Sequence, residues 1–200
     1  MKIKEVHFLK SCTALSQFPR YSWPEFAFFG RSNVGKSSLI NMLMNKKDLV
    51  KTGSRPGVTK MINFFLLNET ISIADMPGFG YARLPHNIRK DFLPLIKNYI
   101  EKRDNLRLAF LLIDIRRTPG SFEIDLVDLL AKRQIPSAIT LTKCDKLSRS
   151  QCAQRMRHIS EELGISRESL FPTSSKTGAG RREILGLIRE YAGVPGRTAD

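Results

Sequence analysis

Residues 30–37 of the chain read GRSNVGKS and follow the pattern G-x-x-x-x-G-K-[ST] in full. Glycines at the two fixed positions let the backbone wrap around an anion with successive N–H groups pointing inward, and a following helix adds its own unpaired amides. Lys36 is then expected to reach the β- and γ-phosphates of a nucleotide, and the Ser37 hydroxyl to bind Mg²⁺. The predicted phosphate-binding residues are Gly30, Arg31, Ser32, Asn33, Val34, Gly35, Lys36 and Ser37. A plain glycine turn between a strand and a helix is the alternative.

A second segment, Thr142-Lys143-Cys144-Asp145, has the residue types needed to recognise a purine base. A carboxylate at Asp145 can accept hydrogen bonds from the ring N–H and the exocyclic amine of guanine together, whereas adenine presents neither donor in that arrangement. The aliphatic stem of Lys143 can lie along the base. Later in the chain, a backbone N–H of Ser174, Ser175 or Lys176 can donate to the guanine oxygen. In the alternative interpretation, Asp145 caps a helix.

A third segment, Asp75-Met76-Pro77-Gly78, can act on the metal and on the terminal phosphate. The Asp75 carboxylate can hold Mg²⁺ through water, while the Gly78 N–H meets the γ-phosphate. An ordinary Asp-Pro-Gly turn is the alternative.

The polar, basic stretch over residues 46–60 predicts a long mobile loop, and an unstructured loop of that length is usually functional. Thr59 in this loop can give Mg²⁺ a second hydroxyl only when a γ-phosphate is present. The sequence therefore predicts that the loop over residues 46–60 and the segment that begins at Asp75 are ordered by a bound triphosphate and released after hydrolysis.

These segments need a scaffold, and the hydrophobic pattern predicts alternating strands and helices. Strands are expected at 25–29, 61–67, 70–75, 108–114, 137–142 and 170–173. Helices are expected at 37–44, 88–102, 122–132, 148–163 and 180–191. Such alternation indicates an α/β domain with a mostly parallel sheet and helices on both faces. Ligands of such sheets bind outside the carboxyl ends of the strands, where the three segments above are placed.

Composition restricts the class of protein further. No apolar run is long enough to span a bilayer, and the N-terminus lacks the features of a secretory signal. The chain's 3 cysteines lack metal-site spacing and fit reduced thiols, so we expect a cytoplasmic protein without disulfides or zinc. Its net charge of +14 predicts a polyanionic partner, although solvated helix faces explain any single basic cluster.

Four longer strings resemble the EngB family (also called YihA or YsxC) of bacterial ribosome-biogenesis GTPases, within the TrmE-Era-EngA-EngB-Septin-like superfamily. The strings are PEFAFFGRSNVGKSSLIN, SRPGVTKMINFF, DMPGFGYA and LTKCDKL, and the resemblance runs over residues 11–191. It implies a Ras-like fold with a mainly parallel six-stranded sheet, one antiparallel edge strand and a short N-terminal strand. The implied parts are an N-terminal extension (1–24), a GTPase domain (25–192) and a flexible basic tail (193–200).

The resemblance also implies a function. GTP or GDP and Mg²⁺ are the expected ligands, with Ser37, Thr59 and Asp75 at the metal. Further nucleotide contacts are implied at Gly57, Val58, Lys60, Met61, Met76 and Pro77. The implied partner is the large ribosomal subunit or its precursor, with both rRNA and ribosomal proteins, and the implied role extends to cell division and septation. We expect a monomer.

Catalysis is expected to involve Lys36, Thr59, Gly78 and Asn33. Many GTPases carry a glutamine after the Asp-x-x-Gly segment to orient the attacking water, but here the residue is Phe79. An aromatic ring cannot hydrogen-bond that water, so intrinsic turnover should be slow. Asn33 is a candidate ligand for a K⁺ ion beside the phosphates, and a side chain that braces the loop is the alternative.

Three classes of function remain open. The favoured one is a Mg²⁺-dependent GTPase that switches on an assembling ribosomal subunit. The second is a nucleotide-gated RNA- or ribosome-binding module with negligible hydrolysis, which Phe79 keeps open. The third is a P-loop ATPase or kinase, which Asp145 opposes. Phe64, Phe79 and Tyr81 could stack on RNA bases, but packing in the core or beside the phosphates is favoured for them.

Overall fold

The computed structural model describes residues 1–47, 49–50, 61–79 and 86–193, and only the backbone for 86–93. Its strands are β1 (Val6–Cys12), β2 (Glu25–Gly30), β3 (Ile62–Leu67), β4 (Ile71–Asp75), β5 (Leu106–Asp114), β6 (Ser137–Thr142) and β7 (Leu170–Pro172). They form one 7-stranded sheet in the order β1-β3-β4-β2-β5-β6-β7. From β4 to β7 the neighbours are parallel, whereas β3 is antiparallel to both β4 and β1.

Five helices cover the two faces of this sheet in the described part of the chain. They are α1 (Lys36–Met44), α2 (His86–Lys102), α3 (Ser121–Lys132), α4 (Arg149–Leu163) and α5 (Arg181–Ala192). Helices α2, α3 and α4 bury their apolar residues on one face of the sheet, and α1 and α5 on the other. None of the helices that the structure describes is long and apolar enough to cross a membrane.

The predicted α/β architecture is confirmed, and the N-terminal strand completes it. This strand, β1, pairs along β3 and becomes the edge of the sheet, so β3 lies one position inside. Asn68 in the turn between β3 and β4 holds the residues before β1, because its Oδ1 accepts from the Lys4 amide at 2.8 Å and its Nδ2 donates to the Lys2 carbonyl at 2.9 Å.

Local signals place the helix and strand ends close to where the sequence predicts them. The Ser148 hydroxyl accepts from the Gln151 amide at 3.3 Å and caps α4, and Gly164 ends that helix with a φ of +61°. Asn68 and Glu69 join β3 to β4 with positive φ values of 46° and 58°. Left-handed backbone at these two residues is what a tight turn between antiparallel strands requires.

A buried ion pair ties residues 18–25 to the amino ends of the parallel strands. The guanidinium of Arg103 donates from Nε to Glu25 Oε1 at 2.7 Å and from Nη2 to Glu25 Oε2 at 2.8 Å, and Glu25 is 0% exposed. Arg103 also donates to the Pro19 carbonyl at 2.8 Å. Tyr21 and Tyr99 donate their hydroxyls to the same carboxylate. This cluster lies at the end of the sheet opposite the predicted ligand site, so it stabilises the fold rather than the site.

Candidate nucleotide-binding site

The predicted site residues lie where β2, β4, β6 and β7 end. Residues 30–37 follow β2, Asp75 is the last residue of β4, Thr142 is the last of β6, and Ser174 follows β7. These strands run parallel within the sheet, so their carboxyl ends bring all four segments to the same end of it.

The phosphate loop, defined here as residues 30–37, has the backbone that its glycines predict. Gly35 has a φ of +104°, a conformation that side chains with a Cβ rarely adopt. A Cβ on Gly30 would lie 2.8 Å from Val34 Cγ1 and 3.1 Å from Leu112 Cβ, so a larger residue there would force the loop or these side chains to shift. Helix α1 begins at Lys36, so its first amides have no carbonyl within the helix and point to the ligand side of the loop.

Asn33 is exposed at the tip of the phosphate loop and has a φ of +63°. Asparagine is enriched in this left-handed region, so the backbone alone gives a reason for its presence. Its carbonyl accepts from Lys143 Nζ at 2.8 Å. The K⁺ role and the bracing role of its side chain both stay predictions.

Lys36 and Asp75, which come from separate motifs, are in direct contact. Lys36 Nζ donates to Asp75 Oδ1, and the side chains are 11% and 5% exposed. Asn63 on β3 donates to Asp75 Oδ2 at 3.4 Å. A buried carboxylate beside the phosphate loop fits a Mg²⁺ ion that is held by one carboxylate, hydroxyls and phosphate oxygens. Ser37 in the first turn of α1 would give the hydroxyl, and Asp75 would act through water. Among the described residues, no group of 3 or more His, Cys, Asp or Glu side chains could hold a metal alone.

The segment after β4 is joined to the phosphate loop by backbone hydrogen bonds. The Ser32 amide donates to the Phe79 carbonyl at 2.8 Å, and the Phe79 amide donates to the Gly30 carbonyl at 3.3 Å. A Cβ on Gly78 would lie 3.0 Å from Ser32 Oγ, so this glycine permits the close approach. Met76 is 0% exposed and Pro77 is buried, so only their backbones can face a ligand.

The Phe79 side chain packs in a hydrophobic site and does not face the predicted nucleotide. It is 4% exposed, and its ring centroid lies 4.0 Å from that of Phe122 on α3. Phe64 is also buried, at 0% exposure. Packing, rather than stacking on RNA, is therefore the role of both rings in this structure, and Tyr81 lies outside the described residues.

Two side chains of the Thr142-Lys143-Cys144-Asp145 segment form hydrogen bonds to the phosphate loop. Thr142 Oγ1 donates to the Val34 carbonyl at 2.7 Å, and Lys143 Nζ donates to the Asn33 carbonyl at 2.8 Å. Lys143 has a φ of +63°, which turns the chain from β6 into a short 3₁₀ turn. The base and phosphate segments therefore form one site.

The Asp145 carboxylate is oriented by a hydroxyl from the loop after β7. Ser174 Oγ donates to Asp145 Oδ1 at 2.7 Å, and this hydrogen bond lowers the pKa of Asp145 below its usual value. Ser148, not Asp145, caps α4. The Ser174 amide already donates to the Ala179 carbonyl at 3.1 Å, which leaves the exposed Ser175 and Lys176 as the candidates to donate an amide to the base.

Cys144 is a partly buried free thiol within this segment. Burial raises its pKa to about 11, so the thiol is neutral at physiological pH. Its Sγ lies 3.2 Å from the Leu141 carbonyl, to which it donates. Its side chain therefore supports the turn rather than the ligand.

The structure adds two residues that the motifs did not indicate. Asn41 on α1 accepts from the Val50 amide at 2.8 Å and donates to the Val50 carbonyl at 2.9 Å, which ties Val50 to α1 nine residues before Thr59. Asp114, the last residue of β5, contacts both Lys143 and Arg116. Asn41 and Asp114 are each a polar residue inside an apolar run of sequence, and this pattern is the signal that could have indicated them.

Several predicted residues cannot be placed. Gly57, Val58, Thr59 and Lys60 lie outside the described residues. Met61 is described and lies half-buried just before β3. Most of the predicted tail, residues 194–200, also lies outside the described part.

The sheet order and the fastened phosphate and base segments together define a Ras-like P-loop GTPase domain. A family model for the 50S ribosome-binding GTPases matches residues 25–143. A probable GTP-binding protein EngB from Desulforapulum autotrophicum is 48% identical over 92% of this chain and 95% of its own. One from Geotalea daltonii is 43% identical over 100% of this chain and 95% of its own. The crystal structure of a probable GTP-binding protein EngB superposes with a TM-score of 0.71 at 27% identity, over 84% of this chain and 98% of that one.

These matches extend well beyond the phosphate loop, across nearly the whole chain. The chain belongs to the EngB family of GTP-binding proteins.

Proposed function

We propose that this protein is a Mg²⁺-dependent GTPase that hydrolyses GTP to GDP and phosphate and acts as a nucleotide switch in assembly of the large ribosomal subunit. The observation that carries the proposal is the direct attachment of the base segment to the phosphate loop. Thr142 reaches the Val34 carbonyl at 2.7 Å and Lys143 reaches the Asn33 carbonyl at 2.8 Å. A single nucleotide would touch both segments at once.

Specificity for guanine rests on Asp145. The Ser174 hydrogen bond at 2.7 Å fixes one of its oxygens and favours the ionised form, which can accept from both guanine donors. An adenine in the same place would leave the carboxylate unpaired, and sites of this kind discriminate by about 10⁴-fold or more.

The partner is inferred from charge and from the relatives. The family model carries the description of a 50S ribosome-binding GTPase. A net charge of +14 fits rRNA, and each phosphate contact would make the association weaker as salt rises. We extend the proposal to ribosomal proteins on the same subunit, to action as a monomer in the cytoplasm, and to a requirement in cell division and septation.

Intrinsic hydrolysis should be slow, because Phe79 is packed against Phe122 and cannot orient water. The partner, or a K⁺ ion bound at Asn33, would then supply the missing acceleration. This same packing favours a second candidate, a nucleotide-gated ribosome-binding module with negligible hydrolysis.

Multiple-turnover hydrolysis of GTP, measured with and without large ribosomal subunits or their precursors at fixed ionic strength, separates the two candidates. Stimulation by the subunit supports the switch GTPase, and nucleotide-dependent co-sedimentation without stimulation supports the binding module. Competition of GTP against ATP for the same site tests the guanine preference, and equal competition would refute both.

A further inference from the structure

Asp114 has a buried carboxylate at the end of the sheet where the nucleotide-binding segments lie. This carboxylate receives hydrogen bonds from two sides. It is the last residue of β5 and is 4% exposed. Arg116 donates to it from Nε at 2.9 Å, from Nη2 at 2.7 Å and from its backbone amide at 3.2 Å. On the other side, Lys143 Nζ lies 3.1 Å from Asp114 Oδ2.

The Lys143 ammonium is held between this carboxylate and the phosphate loop. Its second partner is the Asn33 carbonyl at 2.8 Å. These two contacts span neighbouring elements, since Asp114 ends β5 and Asn33 lies at the tip of the loop. A lysine side chain loses the freedom of four rotatable bonds when it is held, so one carbonyl alone would hold it weakly.

Asp114 is ionised, as a partner that holds the Lys143 ammonium has to be. Burial alone would raise the pKa of Asp114, but the hydrogen bonds from Arg116 and Lys143 lower it well below its usual value. The carboxylate is therefore ionised, and the two cations compensate its charge. A bare anion at this place would repel the phosphates of a bound nucleotide, whereas the compensated one does not.

We infer that Asp114 is a positioning residue for nucleotide binding, which holds the Lys143 side chain across the phosphate loop so that its stem is in place when the base arrives. The inference rests on the proposed function, because the base site is the one that the GTPase proposal assigns. Asp114 would act through Lys143 rather than by contact with the base or the phosphates. Its effect should appear in how long the nucleotide stays bound, not in the cleavage step.

The test is the rate of GDP release from the full chain, followed with a fluorescent GDP analogue. Asp114→Asn keeps the shape and removes the charge, and we expect release to become about tenfold faster, equivalent to about 1.4 kcal/mol. Asp128→Asn is the matched control, because it removes the same charge from an exposed position on α3 and should leave release unchanged. The single-turnover rate of GTP cleavage should change less than about twofold in Asp114→Asn.

A double-mutant cycle with Lys143→Met tests whether Asp114 acts through Lys143. If it does, adding Asp114→Asn to Lys143→Met produces little further increase in the release rate. Additive increases, or an Asp114→Asn variant that releases GDP at the wild-type rate, would overturn the inference.

One measurement needs no variant. In GDP-bound wild type, Lys143 should be acylated by an amine reagent much more slowly than its exposed neighbour Lys146. Equal rates would show that the ammonium is not held. If wild type binds GDP no better than ADP, the proposed function itself fails, which is a different result from an unchanged release rate in Asp114→Asn.

Discussion

Thr142 Oγ1 donates to the carbonyl of Val34 at 2.7 Å, across 108 residues of sequence. It also reaches the Ile113 carbonyl at 3.3 Å, so one hydroxyl joins the ends of β5 and β6 to the phosphate loop. The side chain is buried, and water cannot replace the hydrogen bond if it is lost.

Replacing Thr142 with valine should therefore weaken both the fold and the site. The variant leaves the Val34 carbonyl without this donor, which costs about 1–3 kcal/mol, and GDP affinity should fall by about tenfold. Thr140→Val on the same strand is the control, because the Thr140 hydroxyl is buried and has no partner among the described residues. Its loss should leave stability equal or higher. Urea unfolding and GDP titration measure both effects, and identical behaviour of the two variants would contradict the link.

Asp75→Asn should remove most of the effect of Mg²⁺ on nucleotide affinity. In wild type we expect Mg²⁺ to tighten binding of a non-hydrolysable GTP analogue by at least about tenfold over a chelator, or about 1.4 kcal/mol. The neutral amide cannot attract the metal's waters as the carboxylate does, so the ratio should fall toward one. Asp104→Asn, on the exposed turn before β5, should keep the wild-type ratio. A full Mg²⁺ effect in Asp75→Asn would refute the assignment.

The backbone of Asn33 allows the K⁺ hypothesis to be tested cleanly. Glycine tolerates its φ of +63°, so Asn33→Gly removes the side-chain amide without straining the loop. If the amide binds K⁺, wild type should hydrolyse GTP faster in KCl than in NaCl at equal ionic strength, and Asn33→Gly should lose this difference while retaining GDP binding. Equal rates in both salts for wild type would remove the hypothesis. A retained K⁺ effect in Asn33→Gly would assign the amide to the loop instead.

Arg103→Met should destabilise the fold without touching the site. Glu25 would remain buried without its guanidinium, and breaking a buried ion pair in this way costs about 3–5 kcal/mol. The Pro19 carbonyl also loses its donor, so proteolysis should begin within residues 13–24. Arg157→Met breaks an exposed pair with Glu161 and should not measurably change unfolding. Similar unfolding curves for both variants would show that the buried cluster does not hold the N-terminal extension.

The Cys144 thiol should be slow to alkylate in the folded protein. Burial raises its pKa from 9.0 to about 11, which lowers the thiolate fraction by about 100-fold near pH 8. Iodoacetamide labelling of the Cys144 peptide, quantified by mass spectrometry, should still be rising between pH 9 and pH 11 in the folded protein. The same peptide in urea should level off near pH 10. Matching pH profiles would contradict the shift.

The helices and strands could be predicted from the sequence because the residues that begin, end and bury each of them lie within that element or next to it. The apolar run of β5, the serine that caps α4 and the glycine that ends it each determine their structure within a few residues. The phosphate loop is local in part, since Gly35 is required by its own backbone, whereas Gly30 also leaves room for Leu112 on β5.

The links between segments could not be predicted, because each depends on where two distant residues meet. Nothing near Asp114 in sequence indicates that it receives Lys143, 29 positions later, and the Glu25–Arg103 pair spans 78 positions. Asn33 shows the converse case. The K⁺ hypothesis assigns a role to its side chain, but the residue type also follows from the left-handed backbone at the tip of the loop.

The contact between the Phe79 and Phe122 rings has a mechanical consequence. Phe79 exchanges backbone hydrogen bonds with the phosphate loop, and Phe122 lies in the first turn of α3. Pulling Phe79 out of this site would expose an aromatic face to water at a cost of about 2 kcal/mol. A movement of residues 75–79 would therefore either carry α3 along or separate the two rings at this cost.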